Sequence, residues 1–116
     1  MRQWMVDPKV MCRNHLLGEH REHHTFVGTI LKGIDVTGYI EAGELDPYRL
    51  KERHDELVVE MVRRGYSHYS PLDQPDVSHI KGKPYIDVEA NLHDLASRDC
   101  KCSPSCKELQ DSVKET

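Results

Sequence analysis

The sequence predicts an all-α fold, a single compact domain of three main helices connected by long loops. Three observations carry this expectation. A chain of 116 residues has room for one domain. Apolar residues recur at about 3.6-residue spacing in three segments. The stretches between those segments are punctuated by glycine and proline.

The first helix is expected from about Met11 to Lys32, with Leu16, Val27, Ile30 and Leu31 on its apolar side and Gly33 ending it. The second runs from about Pro47 to Arg64. Asp46-Pro47 offers a cap and a proline at the first turn, Leu50, Leu57, Val58, Met61 and Val62 form its stripe, and Gly65 stops it. The third covers about Val88 to Arg98, with Val88, Leu92 and Leu95 facing inward. Ile34 to Leu45, holding Gly38 and Gly43, reads as an irregular connection. Residues 66–87, with Pro71, Pro75 and Pro84, read as a long ordered loop. Residues 1–98 thus form the domain, and 99–116 a cysteine-containing tail with no committed element.

Composition narrows the class of function. Hydrophobic residues make up 37% and charged residues 31%, and the mean hydropathy is -0.69. No apolar run approaches the roughly 18 residues of a membrane span, and the N-terminus lacks the apolar centre of a secretory signal. An intracellular, cytoplasmic protein without membrane contact is expected. Sixteen Lys and Arg against twenty Asp and Glu give a net charge of -4, which argues against a generic nucleic-acid coat. The charge is uneven: residues 1–40 carry five basic and four acidic side chains plus four histidines, while residues 41–116 carry eleven and sixteen. An anionic partner would bind the first third.

Opposite its apolar stripe the first helix presents Asn14, Gly18, Arg21, Glu22, Thr25, Thr29 and Lys32. Gly18 costs about 1 kcal/mol against alanine within a helix and allows another backbone to come close. On composition alone a solvated outer face explains most of this pattern. His20 and His24 stand one turn apart, a spacing that can chelate a metal. Arg21 occupies the position where a zincin needs glutamate, so that motif fails, and His20 reads instead as a hydrogen-bonded boundary residue. Cys100, Cys102 and Cys106 are weak candidates for a structural zinc, which needs a fourth ligand from Cys12 or His93; free thiols or a cross-linked tail are the plainer readings.

The run His15-Leu-Leu-Gly-Glu-His-Arg-Glu-His-His-Thr-Phe-Val-Gly28 resembles the first helix of the pyrimidine-dimer DNA glycosylases of the phage endonuclease V family. Arg53-His-Asp-Glu-Leu57 with Val62-Arg-Arg-Gly-Tyr66 is similar to that family's second helix and its exit, and Pro84-Tyr-Ile-Asp-Val-Glu-Ala90 to the approach to its third. The resemblance spans residues 1 to 98 in order, and the opening Met-Arg-Gln-Trp-Met-Val-Asp-Pro resembles bacterial members. It implies an all-α enzyme of bacterial or viral origin that excises damaged pyrimidines from double-stranded DNA and nicks the strand as an abasic-site lyase. It also implies a monomer that needs no cofactor.

Carried over residue by residue, the resemblance places the nucleophilic α-amine on Met1 and the catalytic glutamate on Glu22. Arg2, Asn14, His15, Arg21 and Lys32 fall on positions near DNA. The chemistry is coherent. A Schiff base at C1′ needs a neutral amine, and an α-amine titrates ordinarily at about 7.7–8.0 against about 10.4 for lysine. A carboxylate beside it can stabilise a developing sugar cation and move protons.

Three departures bear on substrate. Thr25 stands where the family has a second helix arginine, the tail from Cys100 to Thr116 holds no aromatic residue, and the chain is acidic. The lyase chemistry is therefore better supported than dimer specificity, and non-specific DNA affinity should be weak and salt-sensitive. Two alternatives stand beside the enzyme. One is a non-catalytic DNA- or protein-binding module on the same fold, which would bind DNA without cutting it. The other is a metal-dependent hydrolase, which EDTA would silence.

Overall fold

A computed structural model describes residues 1–67 and 70–97. Four α-helices follow one another: α1 (Arg13–Leu31), α2 (Thr37–Glu41), α3 (Leu50–Arg63) and α4 (Val88–Ser97). Short 3-10 turns at Pro8–Val10 and Pro47–Arg49 introduce α1 and α3. The described residues contain no strand, so the all-α expectation holds. None of these helices is long and apolar enough to cross a membrane.

The local signals act as expected at the helix ends. Asp46 accepts from the Tyr48 backbone N–H with Pro47 at the first turn, which starts the 3-10 turn that runs into α3. Gly65, at φ +88°, closes α3 with paired bonds from its own N–H to the Val62 carbonyl and from Tyr66 N to the Met61 carbonyl. Gly33 does the same for α1 at φ +75°. A side chain at either position would strain the left-handed backbone that lets these carbonyls be satisfied.

Helices α1 and α3 pack antiparallel and hold two apolar clusters apart. Leu16, Leu57 and Met61 join Trp4, Val6, Met11, Leu95 and Ala96 at one end. Phe26, Ile30 and Leu50 join Val36, Ile40, Leu45 and Val77 at the other. Between the clusters runs a buried polar layer: Glu19 and His23 of α1, Arg53 and His54 of α3, and Gln3. Arg53 donates from Nε and Nη2 to the two Glu19 carboxylate oxygens at 2.6 and 2.9 Å, with both side chains fully buried. Arg64 ties the end of α3 to the first turn by donating to the carbonyls of Pro8 and Met11.

Some expectations are corrected. Leu31, Val62 and Val88, which the periodicity puts on buried stripes, are exposed, at 72%, 58% and 44%. Leu31 and Val62 sit about 100° or more round the helix from the centre of the buried arc, too far to reach the partner helix. The connection after α1 is not wholly irregular, because Thr37–Glu41 makes a short helix whose Ile40 enters the second cluster. The stretch from 70 to 87 is irregular as expected, and it buries Leu72, Pro75 and Val77. Arg98 and the tail from 99 to 116, with Cys100, Cys102 and Cys106, lie outside the described residues.

Gly18 was expected to admit a neighbouring backbone. A Cβ built there meets nothing within 4 Å. The glycine thus forfeits helix stability without a packing return inside the protein. Gly18→Ala is expected to raise stability by about 1 kcal/mol, visible as a higher urea midpoint with an unchanged slope. An unchanged or lower midpoint would contradict the open surface at this position.

Candidate active site

The site is built by residues 1–4, which run along α1. The Arg2 backbone N–H donates to Glu22 Oε2 at 3.1 Å, and the Trp4 backbone donates to Glu19. Between them, Gln3 N donates to the Glu44 carbonyl at 2.7 Å, toward the opposite side. The Met1 α-nitrogen is separated from Arg2 N by two backbone atoms, under about 4 Å, so it lies within about 7 Å of the Glu22 oxygen. Met1 is exposed and Glu22 half-buried, so both are open to a ligand.

Gln3 fixes the register of this segment. It is fully buried, and its Oε1 accepts from Asp46 N at 2.6 Å while its Nε2 lies 3.0 Å from His23 Nε2. Since the amide oxygen is taken, the amide nitrogen donates to His23 Nε2, and His23 Nδ1 donates to the Glu19 carbonyl at 2.8 Å. That pattern requires a neutral imidazole. Burial agrees, pushing the His23 pKa down to about 4. Burial also raises the Glu19 carboxyl above its ordinary value, against the pull of Arg53.

Arg2 is the second anchor. Its guanidinium hydrogen-bonds Asn91 Oδ1, lies 3.5 Å from Asp94 Oδ2 and stacks over the Trp4 ring at 4.1 Å. Asn91 in turn donates to the Trp4 carbonyl at 2.8 Å. Arg2 Nε is buried and meets no hydrogen-bond acceptor among the described residues. The side chain expected near a phosphate is thus bound into α4, with one donor left over.

The other expected residues spread along the same face of α1. Asn14 and Arg21 are exposed, and so is Lys32 just beyond the helix end. His15 is half-buried, with Nδ1 3.0 Å from Cys12 Sγ and its ring edge-on to Trp4. Cys12 itself is fully buried and His93 exposed. Beside Arg2 opens a cleft of about 700 Å³ lined by Lys81, Lys83, Tyr85 and Asn91 among others.

Gln3, His23 and Asn91 were not among the site residues expected from sequence, and neither were Lys81 and Lys83. Nothing local marks the first three, whose roles depend on partners 20 to 89 residues away. The lysines carried a usable signal, a Lys-Gly-Lys run before Pro84-Tyr85 in an ordered loop.

The arrangement is a chain end held against a carboxylate, with cations on the exposed face of α1 and around the adjoining cleft. Comparison with curated proteins and with solved structures gives no match. The family model described as pyrimidine dimer DNA glycosylase matches residues 1–74, which include the whole N-terminal segment, α1 and α3. The chain belongs to the pyrimidine dimer DNA glycosylase family, and DNA is the substrate that membership implies.

Proposed function

We propose that this protein is a DNA glycosylase and abasic-site lyase acting through the Met1 α-amine and Glu22 on double-stranded DNA with a damaged pyrimidine, a UV dimer foremost. The observation that carries the reading is the Arg2 N–H to Glu22 bond at 3.1 Å, which keeps the chain end beside the carboxylate. The amine lone pair attacks C1′, and the base leaves with the electrons of the glycosidic bond. Opening of the C1′–O4′ bond then gives an imine. Loss of a C2′ proton expels the 3′ phosphate and breaks the strand. Glu22 stabilises the cationic sugar in the first step and relays protons in the later ones. An extruded or kinked nucleotide is required for the amine to reach C1′.

Arg21, Asn14, His15 and Lys32 would meet the backbone of the bound duplex, and Arg2 the phosphate nearest the amine. The Arg2 side chain is 26% exposed and borders the cleft, which leaves part of it open to that contact. A protein of net charge -4 gains little from long-range attraction to DNA, so the exposed cations on α1 and around the cleft must supply the phosphate contacts. The reaction draws on no metal or cofactor, and a monomer suffices for it.

Borohydride trapping on a duplex with one abasic site, with protein beginning at a free Met1, is the direct test. A covalent adduct mapped by mass spectrometry to the Met1 amine is the expected result. Folded protein that binds the duplex and yields no adduct would refute the lyase and leave a binding module on this scaffold.

A further inference from the structure

We propose that His20, His24 and His54 form a site for a divalent transition-metal ion, zinc foremost, that clasps α1 to α3. His20 and His24 stand one turn apart on α1, and His54 approaches them from α3. The three ring centroids lie 5.1, 4.8 and 4.9 Å from one another. One ring nitrogen from each lies within 4.8 Å of the others, the one such convergence of metal-ligating groups among the described residues. Neighbouring nitrogens on a tetrahedral zinc stand about 3.4 Å apart, given zinc–nitrogen bonds of about 2.0–2.1 Å. Small side-chain rotations close that difference.

The surroundings of His54 suit a ligand. Its Nδ1 lies 2.9 Å from Asp55 Oδ1, the carboxylate contact that orients a metal-binding imidazole and leaves Nε2 as the donor. Nε2 stands 3.1 Å from the Ser70 carbonyl oxygen. That distance suits a hydrogen bond when Nε2 carries a proton, and equally the edge between two neighbouring ligands of one ion. The carbonyl or a water would complete the sphere. His54 is buried while His20 and His24 are half-buried, so an ion can enter from the side of α1.

The site is separate from the proposed chemistry. His20 and His24 each lie two residues from Glu22, about 160° from it around the helix, so they face away from the amine. An ion there would stiffen the α1–α3 pair beside the buried polar layer and would not touch a sugar. Metal binding then stabilises the fold by mass action.

The test uses the full chain with Cys100, Cys102 and Cys106 changed to serine, so that tail thiols contribute nothing. After chelator treatment, the protein is titrated with Co2+ for its visible ligand-field bands and with Zn2+ by calorimetry, and its melting temperature is followed. One equivalent bound, with a melting temperature raised by several degrees, is expected. His20→Gln and His24→Gln are each expected to weaken binding at least tenfold with helical content retained, while His79→Gln, an exposed residue outside the cluster, leaves it unchanged. Two variants guard against one failing to fold. Absence of stoichiometric binding to the chain with intact histidines would overturn the proposal, as would binding that survives both substitutions.

Discussion

Glu22→Gln is expected to lower abasic-site incision by at least about 100-fold, the lower end of what a positioned acid–base group contributes. The substitution separates chemistry from placement. The Arg2 N–H needs an acceptor at 3.1 Å, and the glutamine carbonyl oxygen provides one, so the chain end keeps its position. What the proposed mechanism then loses is the negative charge that would face the sugar cation and the ability to exchange protons. Single-turnover cleavage of an abasic duplex, beside a binding measurement at the same salt, separates the two. Cleavage within threefold of the parent would remove Glu22 from the mechanism. A loss of cleavage matched by an equal loss of binding would assign it to DNA affinity instead.

Arg53→Met is expected to cost about 3–5 kcal/mol, because it strands the fully buried Glu19 carboxylate. Domains of this size hold only about 5–15 kcal/mol in total, so the variant should sit close to unfolding. The deficit should also depend on pH. Burial already raises the Glu19 carboxyl, and without Arg53 nothing comparable opposes that rise. The folded state then holds its proton to higher pH than the unfolded chain does. The penalty is smallest in acid, where both states are protonated, and grows as pH rises above the unfolded carboxyl range. Urea melts at several pH values test this, and the double variant Glu19→Leu/Arg53→Met should recover most of the loss. A single variant within about 1 kcal/mol of the parent would show that the pair contributes little.

The parts of the fold visible in sequence were those written in short-range chemistry. Asp46-Pro47, Gly33 and Gly65 mark helix ends through bonds spanning a few residues, and the periodic leucines place the centre of each buried arc. The polar layer was hidden for the opposite reason. Glu19 and Arg53 look like surface charges on separate helices, and only antiparallel packing brings residues 34 positions apart into one bidentate contact. His20 and His24 showed their chelating spacing, but His54, on another helix, did not announce itself as a third partner. The short helix at Thr37–Glu41 escaped because five residues containing a glycine give no period to read. Glu22 could be singled out through the family resemblance; spacing alone leaves it on a polar face like any other.

The way residues 1–4 are held has a consequence for how the protein is made. They leave the ribosome before any of α4, yet Arg2 and Trp4 take their partners from Asn91 and Asp94. The nascent chain can pair α1 with α3 and set the backbone of residues 2–4 against Glu22, Glu44 and Glu19 while the Arg2 guanidinium and the Trp4 carbonyl still lack their α4 partners. The Arg2 side chain should therefore lock late in synthesis, when the last described helix docks and closes the chain's two distant stretches on each other.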